Sequence, residues 1–204
     1  MWAFEQKAVL NGFFCVAGVD EAGRGPLAGP VVAGAVVLPE GFEAGEINDS
    51  KKLTPKKRDT LFGVIKEDAL SVGIGIVDAE EIDAINILQA SLKAMKLAVG
   101  QLVPQPDYLL VDGNFKVPMM VAQEPIKKGD SRSVSIAAAS IIAKVSRDRM
   151  MAEYDGLYPG YGFVRHQGYP TKAHREAISK LGPCPIHRRT FKGVSEHCRP
   201  SVFF

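Results

Sequence analysis

Four acidic residues have the type and placement for metal chemistry: Asp20 and Glu21 in VAGVDEAGRGPLAGP, Asp112 in DYLLVDGN and Asp130 in KKGDSRSVS. Each follows an apolar run or precedes a helical one, where the fold can hold a carboxylate while it still meets solvent. Two carboxylates about 4 Å apart repel by roughly 4 kcal/mol at an effective dielectric of about 20. A cluster of four therefore needs cations, protons or basic side chains to persist. An all-oxygen donor set suits Mg2+ or Mn2+, whereas zinc favours histidine and cysteine. Carboxylates that hold cations about 3.5–4 Å apart are the equipment of phosphodiester cleavage, in which one activates water and the other stabilises the leaving oxygen.

Each acid also has an ordinary role open to it. Asp20 and Glu21 are consecutive, so a regular strand points them to opposite faces, and one site takes both only if the strand ends between them. The glycines just behind, Gly23 and Gly25, make such an ending credible. Asp112 closes the run YLLV before Gly113, at a strand end of the kind where open α/β sheets place ligands. Asp130, just before SRSVS, is a good helix N-cap, worth about 1 kcal/mol over alanine. Cap and metal ligand both stay open for it. Gly23, Gly25 and Gly29 resemble a phosphate cradle, but Pro26, Pro30 and the valine-rich run that follows argue against a dinucleotide loop, which leads into a helix. A zinc set of Cys184, His187, His197 and Cys198 has irregular spacing, so packing or surface roles are expected of those residues.

The elements that must position these residues follow from periodicity. Residues 16–20, 31–38, 71–77 and 107–112 read as strands, rich in valine and bounded by glycine or proline. Pro55 opens a helix over about 55–69. A longer helix is expected at 79–99, where Ile85, Leu88, Leu92, Met95 and Val99 form one stripe and Asp78 with Glu81 makes the cap. A helix from Ser131 to about Glu153 begins with small apolar residues and should approach its neighbours closely. A short helix near 171–181 lies in an otherwise loop-rich tail. The order predicts an α/β layered domain with a mixed sheet. The core is expected over 1–160, with 161–204 a helix and loop appendage of the same domain.

With 204 residues, 46% hydrophobic and 24% charged, the chain can bury a full core. Three cysteines leave one unpaired in any disulfide scheme, and neither a signal peptide nor a membrane-length apolar run is seen, so a cytoplasmic protein without membrane contact is expected. Nothing demands more than a monomer. The net charge of +2 names no partner, but basic residues cluster. Lys51, Lys52, Lys56, Lys57 and Arg58 form one group; Lys127, Lys128 and Arg132, then Lys144, Arg147 and Arg149, then Arg188, Arg189 and Lys192 form others. Such patches beside acids suit a phosphodiester substrate, although each alone could be a solvated face.

Six ordered segments, VAGVDEAGRGPLAGPVVAGAVVL, NDSKKLTPKKR, LLVDGN, KKGDSRSVSIAAASIIAKVSRD, HQGYPTKAH and GPCPIHRRTF, resemble ribonuclease HII, the type 2 ribonucleases H. The resemblance implies a ribonuclease H-like mixed five-stranded sheet flanked by helices, with a helical C-terminal region. It implies a divalent-metal endonuclease that cuts RNA in RNA–DNA hybrids and at single ribonucleotides in duplex DNA, leaving 3′-hydroxyl and 5′-phosphate ends, as in ribonucleotide excision during DNA replication and repair. Asp20, Glu21, Asp112 and Asp130 would be the catalytic, metal-binding acids. Gly23, Arg24 and Gly25 would recognise the 2′-hydroxyl and the adjacent phosphate, and Tyr169 would pack on the sugar at the RNA-to-DNA junction. Ser50, Lys51 and Lys144 would meet backbone phosphates. Phe203 and Phe204 resemble the paired aromatics of sliding-clamp-binding peptides, but the upstream glutamine and aliphatic residue are missing, so clamp binding through this tail is not expected.

Two other functions share these residues. A DNA nuclease or resolvase on a related fold would use the same acids and ignore the sugar. A noncatalytic hybrid-binding protein would use them as caps, binding tightly without metal-stimulated cleavage.

Overall fold

A computed structural model describes residues 1–43, 45, 47 and 53–198. Ser50, Lys51, Phe203 and Phe204 lie outside the described residues. The chain opens with helix α1 (Ala3–Leu10) and three strands, β1 (Val16–Ala22), β2 (Val31–Val37) and β3 (Ser71–Val77), with helix α2 (Pro55–Asp68) between the last two. Helices α3 (Ala79–Ile85) and α4 (Ile87–Gly100) lead to β4 (Tyr108–Asp112) and β5 (Ala122–Ile126). Helix α5 (Val134–Leu157) and the shorter α6 (Phe163–His166) and α7 (Lys172–Leu181) complete the order.

The sheet has five strands in the order β3-β2-β1-β4-β5. β1 pairs antiparallel with β2, and β2 with β3, so the first half is a meander. β1 pairs parallel with β4, and β4 with β5, so the second half needs crossovers; helices lie in the one from β1 to β4, whereas residues 113–121 join β4 to β5 without a helix. The valine-rich β2 is buried along its whole length because a helix covers each face. On one face Ala33, Val19 and Leu109 pack with Ala94 and Met95 of α4. On the other, Val36 packs with Ala138 and Ile142 of α5.

The close approach expected of the small-residue helix is met from the strand side by glycine. A Cβ on Gly18 would stand 2.0 Å from the Ser135 carbonyl carbon, and one on Gly34 2.4 Å from the Ala139 oxygen. Backbone therefore rests on backbone across this interface.

Three features differ from expectation. The helix foreseen at 79–99 is two, broken at Asn86, whose positive φ of 68° turns the chain while its side chain accepts from the Leu88 and Gln89 amides and caps α4. Strand β5, sequence AQEPI, is polar and holds a proline, which only an edge strand tolerates. Helix α1 is held by tertiary contact: Glu5 is buried and accepts from the Ser133 and Ser135 hydroxyls at 2.5 and 2.7 Å.

Candidate active site

The β1–β4 pairing runs as far as Val19 opposite Val111, so the next residue of each strand, Asp20 and Asp112, are neighbours on adjacent strands. Alternation sends both toward α5, on the same side as Leu110, which packs on Ile136. Glu21 points to the other face. The expectation that β1 ends between Asp20 and Glu21 is corrected, because β1 continues to Ala22. The strand that stops is β4, at Asp112, and the turn at Gly113 with φ 97° leaves an open sheet end around which Glu21 and Asp112 lie along one cleft with Arg24 and Asn114.

Fields from the three acids overlap there. Burial first, then the charges of Glu21 and Asp112, push the Asp20 carboxyl well above the usual carboxylate range. Hydrogen bonds from Ser140 and from the Glu21 amide, the latter at 2.7 Å, oppose this. Burial also raises Glu21, against the Arg24 guanidinium, which pairs with it at 3.2 Å. The Asp112 Oδ1 accepts the Gly129 amide at 2.6 Å. Gly129 opens the 3-10 turn Gly129–Ser131 that carries buried Asp130, so the third acid is bonded to the turn of the fourth. Asp130 does not cap the long helix. Ser133 does, its hydroxyl accepting from the Ile136 amide.

The donor set is all oxygen, and the burial that raises Asp20 and Glu21, with the smaller effect of neighbouring negative charge, is a cost that a divalent cation would offset, so these residues fit Mg2+ or Mn2+. Among the described residues no three His, Cys, Asp or Glu side chains are already closed into a metal-holding group. The acids stand as electrostatic neighbours rather than as a finished coordination shell.

Beside them the loop from Gly23 to Pro30 is gripped from within by two arginines. Arg147, on α5, donates Nε to the Pro30 carbonyl at 3.0 Å, Nη1 to Gln167 at 3.0 Å and Nη2 to Ala28 at 3.1 Å. Arg188 donates Nη1 to the Arg24 carbonyl at 3.0 Å, Nη2 to Gly23 at 2.5 Å, and Nε and Nη2 to Gly29 at 3.1 and 2.9 Å. Both were expected in basic surface patches; both are buried, 1% and 0% exposed. Burial, then Arg147 alongside, pushes the Arg188 guanidinium down to about 9. Gly23, at φ 102°, has no room for a side chain, since a Cβ would lie 2.3 Å from the Arg147 Nε. Gly25 is exposed, and its nearest neighbour across space is the Tyr169 ring, 3.5 Å from where a Cβ would stand. Glycine loop and tyrosine thus adjoin. Lys144 is on α5, paired with Asp148 at 2.6 Å.

Tyr169 hangs on the buried histidines His174 and His187, the second of which sequence patterning left to packing or the surface. The Cys184 amide donates to the His187 Nδ1 at 2.9 Å, so that nitrogen carries no proton. The proton is on the His187 Nε2, which meets the His174 Nε2 at 3.1 Å; His174 then donates Nδ1–H to the Tyr169 carbonyl at 2.9 Å. The tautomers follow from the amide at one end and the carbonyl at the other. Of the irregular zinc set, Cys184 and His187 touch at 3.0 Å, whereas His197 is exposed on a separate turn and Cys198 contacts Val194.

A mixed five-stranded sheet with flanking helices and carboxylates at the end of its central parallel pair places the molecule among ribonuclease H-like folds. It is similar to the ribonuclease H2 of Pyrococcus horikoshii OT3, with a TM-score of 0.75 and 30% identity over 90% of this chain and 96% of that one. The RNase HII in the PCNA:RNase HII complex from Archaeoglobus fulgidus gives 0.74 at 24% identity over 88% and 96% of the two chains, a likeness of fold. The family model for ribonuclease HII matches residues 17–194. Ribonuclease HII of Geobacter metallireducens is 61% identical over 98% of this chain and 94% of that one, and that of Geobacter sulfurreducens 62% over 97% and 91%. The chain belongs to the ribonuclease HII family. It is an endonuclease of the hydrolase class acting on RNA in RNA–DNA hybrids, in a family that depends on divalent metal. No helix among the described residues is long and apolar enough to cross a membrane.

Proposed function

We propose that the chain hydrolyses RNA–DNA hybrids and also cuts at single ribonucleotides embedded in duplex DNA, leaving 3′-hydroxyl and 5′-phosphate ends. The observation that carries this reading is the meeting of Asp20, Glu21 and Asp112 at the open end of β4, beside a glycine loop that abuts Tyr169. Asp20, Glu21 and Asp112 would hold divalent metal, with Asp130 completing the set from its 3-10 turn. A cation bound there would supply the Lewis acidity that activates water and stabilises the leaving oxygen.

The remaining work falls to the chain's own groups. Gly23, Arg24 and Gly25 recognise the ribose 2′-hydroxyl and the adjacent phosphate, because the hydroxyl is what separates RNA from DNA at one nucleotide. Tyr169, 44% exposed as a residue, offers the flat apolar face of its ring to the neighbouring sugar. Lys144 is assigned a phosphate contact, which it would make by exchanging its partner Asp148, now at 2.6 Å, for phosphate. Ser50 and Lys51 are assigned the same role from their motif. The protein is taken to work as a cytoplasmic monomer in ribonucleotide removal.

Cleavage mapping on a DNA duplex with one ribonucleotide, in magnesium, manganese and chelator, tests the proposal. One metal-dependent cut beside the ribonucleotide is expected. Comparable cutting of all-DNA duplex would favour a sugar-indifferent nuclease, and tight binding without cleavage a noncatalytic binder.

A further inference from the structure

The loop proposed to read ribose has an unusual interior. Its carbonyl oxygens, which a surface loop ordinarily gives to water, point inward onto buried guanidinium groups. The peptide plane fixes what this does to the outward side. In a trans peptide the C=O and the N–H of one unit point in opposite directions. Arg188 holds the carbonyls of Gly23 and Arg24, at 2.5 and 3.0 Å, so the amides completing those two units, the N–H groups of Arg24 and Gly25, are turned away from the protein interior. Both residues are exposed. The Arg24 guanidinium gives Nη1 to Glu21 at 3.2 Å, and the two backbone amides add to the donors it keeps.

We infer that Arg188 is a positioning residue for substrate recognition: by binding the Gly23 and Arg24 carbonyls it aims two consecutive amides at the ribonucleotide. This deepens the proposed function and rests on it. Arg188 is itself fastened. Its amide donates to the Leu27 carbonyl at 2.8 Å, its guanidinium lies 5.1 Å from the centre of the Phe191 ring, and Asp83 on α3 accepts the Arg189 and Thr190 amides at 2.6 and 3.0 Å. Lysine cannot substitute. Its single ammonium lacks the planar fork that reaches the Gly23, Arg24 and Gly29 oxygens from one side chain.

The wild type is first assayed on an RNA–DNA hybrid with magnesium or manganese; no cleavage there defeats the nuclease reading itself, separately from any result on Arg188. With a cleaving wild type, Arg188→Lys that still melts cooperatively is expected to raise KM for the hybrid by about tenfold. It should also narrow the preference for ribonucleotide-containing over all-DNA duplex. A merely structural role would lower apparent kcat through loss of folded enzyme and leave KM and the preference at wild-type values. In parallel, nitrogen-15 spectra of the wild type in chelator, titrated with uncleaved hybrid, should show the Arg24 and Gly25 amides moving. That measurement decides the matter if Arg188→Lys does not fold. Unchanged KM and preference in folded Arg188→Lys, or Arg24 and Gly25 amides that stay still when the hybrid binds, overturns the inference.

Discussion

Asp20 is costly to the fold and, in our proposal, necessary to the chemistry. Its carboxyl is raised by burial and by two acidic neighbours, so the folded state holds its proton more firmly than the unfolded chain does, and stability contributed by this residue falls as pH rises. Asp20→Asn should therefore abolish cleavage while stabilising the metal-free protein at pH 7 by roughly 1 kcal/mol, about 2–4 °C in melting for a domain of this size. The gain should shrink as the pH is lowered; a variant that melts below wild type at pH 7 would contradict it. The buried histidines have the opposite sign. His174 and His187 are pushed down to about 4, chiefly by burial, so the unfolded chain takes up protons first as pH falls below about 6.5. Melting of the Asp20→Asn, Glu21→Gln double variant, from which both raised acids are removed, should fall between pH 6.5 and 4, and a flat profile would refute the burial of His174 and His187 as neutral rings. The acids were legible as residue types in their motifs. Arg147 and Arg188 were not, because a lysine- or arginine-rich window looks the same on a solvated face and in a buried clamp, and the Arg188 partners lie 159 to 165 residues away.

Among the elements, four strands and most helices were legible, since valine runs and apolar stripes are local signals. The split between α3 and α4 was not. The stripe passes unbroken through Ile85 and Leu88, while the break depends on one backbone angle at Asn86. Asn86→Ala should cost about 1–2 kcal/mol, through both the lost cap and the positive φ, and Asn86→Gly distinctly less. Urea denaturation distinguishes the two; equal losses would mean that the angle plays no part. The sheet interface gives a sharper case. Gly18→Ala forces a methyl onto the Ser135 backbone, and about 3 kcal/mol of destabilisation is expected. A loss below about 0.5 kcal/mol would mean that α5 shifts freely on the sheet, contrary to its close packing.

For the whole molecule, the sequence suggested a core over 1–160 followed by an appendage, and a linear pattern cannot say how such a tail engages the body. Here the later segment reaches inward. Ala28 pairs with His187 in an isolated bridge, the Leu27 amide donates to the Gly168 carbonyl at 2.8 Å, and Met151 shares an apolar cluster with Tyr161 and Phe163. We predict that a chain cut after residue 160 loses hybrid cleavage and the cooperative melting of the full protein, as measured by calorimetry. A truncated chain that melts as one sharp transition and still cleaves would show the tail to be dispensable.

The Arg188 grip on Gly23 spans 165 residues, so it also orders events in time. During synthesis β1 and its glycine loop leave the ribosome well ahead of the side chain that shapes the loop, which follows 165 residues behind Gly23. The acids are thus present long before the loop is set. A nascent chain that has not yet released Arg188 would carry the acids without the shaped loop, and the ribose selectivity we propose would follow only once Arg188 docks.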